Sequence, residues 1–247
     1  GRPVPAAVGG PMSVEVLVVL GVAVAIAALV QGTSGLGFAL IVAPVAGLLA
    51  PGILPVALLM LMIPLNVYVA WRERAAIDFR GVGWISLARI VSTPLGVWLL
   101  AVVPPDRLGP LVGVVTVLAA AASLLTPAFT PSVPALLGAG VITGLSETAT
   151  GIGGPPLALV YQHETPSTLR STVATCFLIG EVASLVLLGF QGRVGVQHLQ
   201  AAGWLMPPLV AGLAVSALLH RRVSSGPMRT FVLVFAVISG IVLVVRG

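Results

Sequence analysis

The chain is a succession of apolar segments separated by short breaks that contain proline, glycine or charged residues. A helix needs about 20 apolar residues to cross the hydrocarbon core of a bilayer. Ten charge-poor segments lie at 14–30, 36–50, 53–71, 82–102, 109–126, 134–147, 154–162, 168–189, 199–219 and 229–246. Six are long enough to span a membrane, whereas the first, second, sixth and seventh are short. The pattern predicts an all-α polytopic membrane protein.

Composition excludes the other broad classes of fold. Apolar residues make up 58% of the 247 positions and charged residues only 8%, against roughly 45–50% and about 25% in soluble domains. A soluble domain cannot cover its surface with so few charges, and an intrinsically disordered chain has the opposite composition. The single cysteine, Cys176, allows no disulfide within one chain and is expected to be a buried core residue.

Two glycine-rich motifs interrupt the short segments. The sequence QGTSGLGF occupies 31–38, and ETATGIGGPP occupies 147–156. The two motifs align at an offset of 116 residues, and Gly83-Trp84 aligns with Gly203-Trp204 at an offset of 120. A duplicated unit is therefore predicted. The expected division is an N-terminal extension over 1–12, with Met12 as the expected native start, a first membrane repeat over 13–127 and a second over 128–247, the two repeats forming one integral membrane domain.

The second repeat is predicted to be inverted relative to the first, because each half holds five segments. Loop 71–81 contains three arginines and its counterpart 190–198 contains one, whereas loop 103–108 contains one and its counterpart 220–229 contains three. The positive-inside rule produces this exchange when one fold is inserted in both orientations. The predicted cytoplasmic loops are 71–81, 127–133, 163–168 and 220–229, which puts both termini outside the cytoplasm.

The glycine motifs allow two interpretations. Glycines can let membrane helices pack closely, or the helices can break there and leave backbone groups free to line a protein-enclosed cavity. Neighbouring hydroxyl residues and the pair Pro155-Pro156, which suits the first turn of a new helix, favour the second interpretation. Opposed helix N-termini near Phe38 and Pro155 would then form a pocket for a small anion, with the amides of 36–39 and 151–154 as donors.

The paired motifs resemble those of the TauE/SafE family of sulfite and organosulfonate exporters. The resemblance rests on QGTSGLGF, with a proline seven positions after Gly37, and on ETATGIGGPP, and it extends over about residues 13–246. It implies a multi-pass protein of the bacterial inner membrane that exports sulfite, sulfoacetate or a related anion. The ten segments are compatible with this family if each broken pair forms a hairpin.

Arg89, inside the fourth segment, is a further candidate ligand. Its guanidinium is suited to holding two oxygens of a sulfite or sulfonate group. Snorkelling to the interface and an ion pair with a glutamate are the alternatives. Arg170 is expected to be a topology charge, and Gln162-His163-Glu164 a solvated turn. The predicted substrate-binding residues are Gln31, Thr33, Ser34, Gly35, Gly37, Phe38, Arg89, Thr148, Thr150, Gly151, Gly153 and Gly154.

Three polar residues are predicted to couple transport to protons. Glu147 precedes the second break, where Gln31 stands in the first repeat, and Glu181 corresponds to Asn66. A desolvated carboxylate can titrate near neutral pH, and charged residues within membrane segments usually face a cavity or a partner. Glu147 could instead bond the loose amides of the break, and Glu181 could make an interhelical hydrogen bond. Glu181 is favoured as the proton carrier.

The leading functional hypothesis is a secondary transporter that exports a small sulfur-containing anion by alternating access around two opposed broken helices. An anion channel and an importer of another small organic anion are the alternatives. An enzyme is not expected, because P-loop and H-E-x-x-H motifs are absent from the sequence and both aspartates lie in loops. No cofactor, metal site or nucleic-acid partner is expected. The expected partners are the anion and the lipid bilayer, with a homodimer left open.

Overall fold

The computed structural model describes residues 12–125, 132–219 and 225–246. The predicted N-terminal extension and the loop 127–133 fall largely outside these ranges. Half of the predicted loop 220–229 also falls outside them, and its second half, from Ser225, is helical. The described residues form ten α-helices and three short 3-10 turns, without a strand. The helices are α1 (Val14–Ser34), α2 (Phe38–Leu49), α3 (Val56–Arg72), α4 (Phe79–Val102), α5 (Leu108–Leu125), α6 (Val133–Thr150), α7 (Gly154–Val160), α8 (Pro166–Phe190), α9 (Val196–Leu219) and α10 (Ser225–Arg246).

The helical membrane architecture is confirmed, but some helix lengths differ from the prediction. The described helical stretches with the length and hydropathy of a membrane span are Val14–Ser34, Phe79–Val102, Pro105–Leu125, Pro166–Phe190 and Val196–Leu219. The prediction of a short first segment is wrong, because α1 has 21 residues. It continues into the first motif as far as Ser34, and the hydroxyls of Thr33 and Ser34 donate back to carbonyls of the preceding turn. Conversely, α3 has only 17 residues because Pro51–Ile53 forms a separate 3-10 turn.

The first broken pair, α1–α2, turns at a glycine that no other residue replaces without strain. Gly35 has φ 86° and ends α1 in the left-handed conformation, which glycine adopts freely. Its amide donates to the Gln31 carbonyl at 2.7 Å. The Ser34 hydroxyl accepts from the Leu36 amide at 3.3 Å. The chain thus leaves α1 through a hydrogen-bonded turn before α2 begins at Phe38.

The second broken pair, α6–α7, repeats these contacts 116 residues later. Gly151 has φ 84° and ends α6. Its amide donates to the Glu147 carbonyl at 2.7 Å, and the Thr150 hydroxyl accepts from the Ile152 amide at 3.3 Å. Recurrence of the same local geometry at the motif offset supports the predicted duplication.

Helix packing follows the same correspondence between the halves. Helix α1 packs against α9 as α6 packs against α4, and α2 packs against α10 as α7 packs against α5. Helices α3 and α8 pack against each other, as do α5 and α10. Exchanging the halves therefore maps α1–α9 onto α6–α4 and α2–α10 onto α7–α5, and it maps α3–α8 and α5–α10 onto themselves. The inverted orientation of the halves in the membrane, and the bounds 13–127 and 128–247, stay predictions.

The loops that follow α3 and α7 lie at the same end of the bundle. Glu73, directly after α3, accepts from Arg170 in the first turns of α8, with 2.7 Å between Nη2 and Oε1. Asp78, before α4, accepts from the Tyr161 hydroxyl at 2.8 Å. The arginine count placed both loops on one side of the membrane, and these contacts support that placement. Which side is cytoplasmic remains a prediction.

The distribution of polarity is that of a protein in a bilayer. Large apolar side chains such as Val91, Trp98 and Leu118 are more than 60% exposed on the outer surface. Soluble monomers rarely expose apolar patches of this extent. In contrast, Arg89 and Glu147 are completely buried. The outer surface therefore suits lipid, and the polar groups are collected inside the bundle.

Candidate functional site

Three ionisable side chains meet in the centre of the bundle. Arg89 on α4, Glu147 on α6 and Glu181 on α8 are each 0% exposed. Arg89 pairs with Glu147, and its guanidinium lies against Gly180, the residue directly before Glu181. Burying a charge is unfavourable unless it is paired and hydrogen-bonded. The contacts of these three residues therefore define what the site can do.

Arg89 forms a buried ion pair with Glu147. Its Nη2 donates to Glu147 Oε2, and its Nη1 donates to the Cys176 carbonyl at 2.9 Å. The Phe177 ring lies 5.5 Å from the guanidinium carbon. Glycine is required at position 180 because a Cβ there would overlap the guanidinium. Of the alternatives left open by the sequence, the structure contains the ion pair with a glutamate.

Glu181 begins a hydrogen-bonded path that reaches the first break. Asn66 Nδ2 donates to Glu181 Oε1 at 2.7 Å, and Gln31 Nε2 approaches Asn66 Oδ1 at 3.5 Å. The Phe38 amide, at the start of α2, donates to Gln31 Oε1 at 3.0 Å. The interhelical hydrogen bond predicted as one alternative for Glu181 is therefore present. The path connects α8, α3, α1 and α2.

Glu147 brings the ion pair to the second break. It lies in the last turn of α6, and a Cβ built on Gly153 would come within 2.5 Å of its Oε2. The Thr143 hydroxyl donates to the Gly153 carbonyl at 3.1 Å. Gln31 and Glu147 occupy matching positions in the two motifs. One polar side chain from each break thus enters the same buried region.

A cavity of ≈ 210 Å³ lies where the two breaks approach each other. Leu36 lies next to Gly154, where an added Cβ would be 3.3 Å from the leucine Cδ2, and both residues line the cavity. Its walls are mainly apolar, with a few polar side chains. The exposed residues Glu164 and Pro166 also line it, so the cavity reaches the surface at the loop after α7. The polar lining residues are Ser34, Ser123, Gln162 and Glu164.

The predicted site residues separate into two groups. Ser34 and Gly154 line the cavity. The buried network holds Gln31, Asn66, Arg89, Glu147 and Glu181, and none of these five lines the cavity. Their roles in binding and coupling stay predictions.

The predicted hydroxyl ligands already have partners within the protein. Thr33 bonds to carbonyls of α1, Thr150 bonds to the Ser146 carbonyl at 2.7 Å, and Thr148 pairs with the Ser184 hydroxyl at 2.7 Å. The amides of Leu36 and Phe38 are likewise engaged, by Ser34 Oγ and Gln31 Oε1. Gly35, Gly37, Gly151 and Gly153 shape the backbone of the breaks. These bonds stabilise the breaks, and a substrate would have to displace them or bind beside them.

Gln162 and two arginines, Arg72 and Arg170, have contacts at the breaks that the sequence did not predict. Gln162, expected in a solvated turn, lines the cavity with its Nε2 buried and without a hydrogen-bond partner. Arg170, expected to be a topology charge, makes a bidentate ion pair with Glu73 and donates to the Thr33 carbonyl at 3.3 Å. Arg72 donates to the Gly32 carbonyl at 2.6 Å. The two arginines therefore cover the last carbonyls of α1, which are partially negative, and no local sequence signal predicts this.

The described ranges contain no group of three or more His, Cys, Asp or Glu side chains placed to hold a metal ion. His198 instead lies against the 3-10 turn before α3, with Nε2 3.2 Å from the Gly52 carbonyl. The described site offers hydrogen-bond donors, a buried ion pair and two carboxyl groups. Such groups can bind an anion or exchange a proton.

Sequence comparison identifies the family. The family model described as Sulfite exporter TauE/SafE matches residues 20–243. No curated protein and no solved structure gives a significant match to the chain. The matched range contains both glycine motifs, the cavity and the buried network. The chain is therefore a multi-pass membrane protein that belongs to the sulfite exporter TauE/SafE family.

Proposed function

We propose that the protein is a secondary transporter of the bacterial inner membrane that exports a small sulfur-containing anion, such as sulfite or a C2 organosulfonate. The family supports transport of this class of compound. The observation that carries the mechanism is the meeting of two broken helices at one cavity, next to a buried network that contacts both breaks. Broken helices at matching repeat positions are typical of transporter binding sites.

The cavity has the size and the groups for a small organic anion. Its ≈ 210 Å³ is several times the roughly 30 Å³ that a water molecule occupies in the liquid. The unpartnered amide nitrogen of Gln162 is available at its wall. The Ser34 hydroxyl also lies at the wall but bonds to the Val30 and Leu36 carbonyls, so a substrate would compete with these bonds. Helix α2 begins beside the cavity and presents the partially positive end of its dipole. The apolar wall suits the carbon part of an organosulfonate.

The direction of opening supports export. The cavity reaches the surface at the loop after α7, which the positive-inside rule assigns to the cytoplasm. A substrate would therefore enter from the cytoplasm in this conformation. Export of an anion from a cell with a negative interior is downhill by about 2.3 kcal/mol per charge per 100 mV. Transport would proceed by exposing the same cavity to the other side as the two halves move.

Within this proposal the network and the cavity have separate tasks. Ser34, Gly154 and Gln162 contact the substrate. Glu147 and Gln31 hold the two breaks, and Arg89 fixes Glu147 through the ion pair. Direct binding of the anion by Arg89 would require it to leave Glu147.

Counterflow of radiolabelled sulfite in proteoliposomes tests the proposal, with sulfoacetate, taurine, sulfate and chloride as competitors. Saturable exchange blocked by one sulfur anion is the expected result. Flux without counterflow would favour the anion channel, and absence of sulfite exchange would withdraw sulfite as substrate. Ala158, which lines the cavity, supplies a variant: Ala158→Leu should reduce exchange at least tenfold. Ala214→Leu on the exposed face of α9 is the matched control, and equal loss in both variants would contradict the cavity as the binding site.

A further inference from the structure

Three polar atoms of the buried network have no hydrogen-bond partner among the described protein atoms. They are Nε of Arg89, Oε1 of Glu147 and Oε2 of Glu181. The three side chains come from α4, α6 and α8 and are completely buried. Leaving buried polar atoms unpaired is unfavourable. Unused donors and acceptors on three neighbouring charged groups indicate that the same groups can pair in a second way.

The charges of the network do not balance if every group is ionised. Arg89 of α4 and Glu147 of α6 lie near Glu181, and the neutral amide of Asn66 on α3 donates a hydrogen bond to it. One arginine and two carboxylates would leave one uncompensated negative charge in a fully buried site. Glu147 contacts the guanidinium, whereas Glu181 receives only an amide hydrogen bond. The neutralising proton therefore belongs on Glu181.

We propose that Glu147 and Glu181 share one proton and that Arg89 changes its carboxylate partner when the proton moves. In the arrangement of this structure, Arg89 pairs with ionised Glu147, and Glu181 carries the proton. In the second arrangement, Arg89 pairs with ionised Glu181, and the proton is bound to a carboxyl oxygen of Glu147. Each arrangement contains one positive charge, one negative charge and one proton, so the exchange leaves the net charge of the cluster at zero.

Arg89 is already placed against the helix that carries Glu181. Its Nη1 donates to the Cys176 carbonyl, and its guanidinium lies over the Phe177 ring. The guanidinium passes α8 at Gly180, where a side chain would block it. Glu181 follows directly in the chain. A change of partner therefore requires movement of the arginine side chain along α8, without unfolding of a helix.

The position of the proton is linked to both breaks. Glu147 lies in the last turn of α6 and packs against Gly153, so loss of Arg89 releases the group that holds the second break. Glu181 connects through Asn66 and Gln31 to the start of α2. A proton that moves between the carboxyls therefore changes the contacts of both broken helices. The inference deepens the proposed function, on which its consequence for transport rests.

Infrared spectroscopy of the purified protein in lipid at neutral pH tests the shared proton without a substrate. A buried protonated carboxyl absorbs at its own carbonyl frequency, separate from carboxylates. We expect this band in the wild type and its loss in Glu181→Gln. It should also disappear in Glu147→Gln, because Arg89 then takes Glu181 as its partner and ionises it. The exposed Glu15 supplies the control Glu15→Gln, which should keep the band.

A band that is missing from the wild type, or that survives in Glu147→Gln, would overturn the proposal. Arg89→Gln gives a second test, because without the arginine both carboxyls hold protons and the band should increase about twofold. An unchanged band in this variant would contradict a shared proton. The wild-type spectrum shows whether a buried carboxyl is protonated even if a variant does not fold.

Transport provides the second measurement. Isethionate is a suitable probe because its sulfonate stays ionised between acidic and neutral pH. The shared proton stays on the two carboxyls, so the rate of isethionate exchange reports whether its movement matters for transport. Isethionate counterflow in proteoliposomes should fall at least tenfold in Glu181→Gln, where no second carboxyl can take the proton, and should be unchanged in Glu15→Gln. Undiminished exchange in Glu181→Gln would refute the link between the shared proton and transport. Absence of isethionate exchange would count against the proposed function while the infrared result stands.

Discussion

Gly180→Ala is the most direct perturbation of the Arg89–Glu147 ion pair that leaves both charged residues in place. The added Cβ would overlap Nε, Cζ and Nη2 of Arg89. The neighbour is a fully buried guanidinium held between Glu147 and the Cys176 carbonyl, so it cannot move without losing a contact. The methyl group must therefore displace either the arginine or the helix.

The structure sets the size of the expected effect. Overpacking a buried position costs about 1–3 kcal/mol, and breaking a buried ion pair costs about 3–5 kcal/mol. Gly180→Ala overpacks the site and also weakens the Arg89–Glu147 ion pair. We therefore expect a loss of about 3–5 kcal/mol in the free energy of unfolding. Gly189, on the same helix, is exposed, and a Cβ there meets nothing within 4 Å. Gly189→Ala should be neutral or stabilising by up to about 1 kcal/mol.

Unfolding by sodium dodecyl sulfate, followed by circular dichroism in mixed micelles, measures the difference between the two alanine variants. The cost of Gly180→Ala is then measured again in the double variant Arg89→Met/Glu147→Gln, which lacks the ion pair. There the overlap is with a flexible apolar side chain, and the cost of Gly180→Ala should fall to about 1–3 kcal/mol. Equal stability of Gly180→Ala and Gly189→Ala would refute the reasoning. An undiminished cost in the neutral background would place the effect in the backbone of α8 instead of in Arg89.

Two further predictions concern the breaks and the loops. Gly35→Ala should destabilise the protein by at least about 1–2 kcal/mol, because φ is 86° and the new Cβ would collide with Arg170. Gly138→Ala is the control, because a Cβ at position 138 meets only open space. Equal free energies of unfolding in the two variants would contradict the strained turn at Gly35. Burial and the hydrogen bond to Asp78 raise the pKa of Tyr161, which follows α7. Stability from this group is present below its unfolded pKa of 10.0 and is lost as pH rises above it. The wild type should therefore lose more stability than Tyr161→Phe between pH 9 and pH 11, and parallel pH profiles would argue against this.

Local sequence patterns were sufficient to predict the positions of the helices and of the two breaks. Hydropathy located ten segments because each membrane helix satisfies its own backbone hydrogen bonds and needs only an apolar surface. The glycine motifs located both breaks because a left-handed residue, such as Gly35 or Gly151, ends a helix almost regardless of its surroundings. Lengths were less predictable. Thr33 and Ser34 were counted as part of a break, but both belong to the last turn of α1, where their hydroxyls bond to carbonyls of the same helix.

The residues of the site were predicted better than their contacts. Arg89, Glu147 and Glu181 were singled out because a charge within an apolar segment is costly and therefore needs a partner. The sequence left three interpretations open for Arg89: a ligand of the anion, a side chain that snorkels to the interface, and an ion pair with a glutamate. Glu147 lies 58 residues away along the chain, and no local pattern connects the two. Gln162 and Arg170 acquired their roles only because α7 and α8 pack beside the breaks.

The sequence by itself determined that this is a helical membrane protein, that its chain breaks twice at matching motifs, and which polar side chains must be sheltered from lipid. These properties follow from composition, spacing and the conformations of glycine, all of which act over a few residues. The tertiary structure alone decided that Arg89 pairs with Glu147, that Asn66 bonds to Glu181, and that the cavity forms between Leu36 and Gly154. Such contacts depend on how closely α3, α4, α6 and α8 approach one another. That approach is set by small residues such as Gly144 and Gly180, where a Cβ would collide with the neighbouring helix or with Arg89.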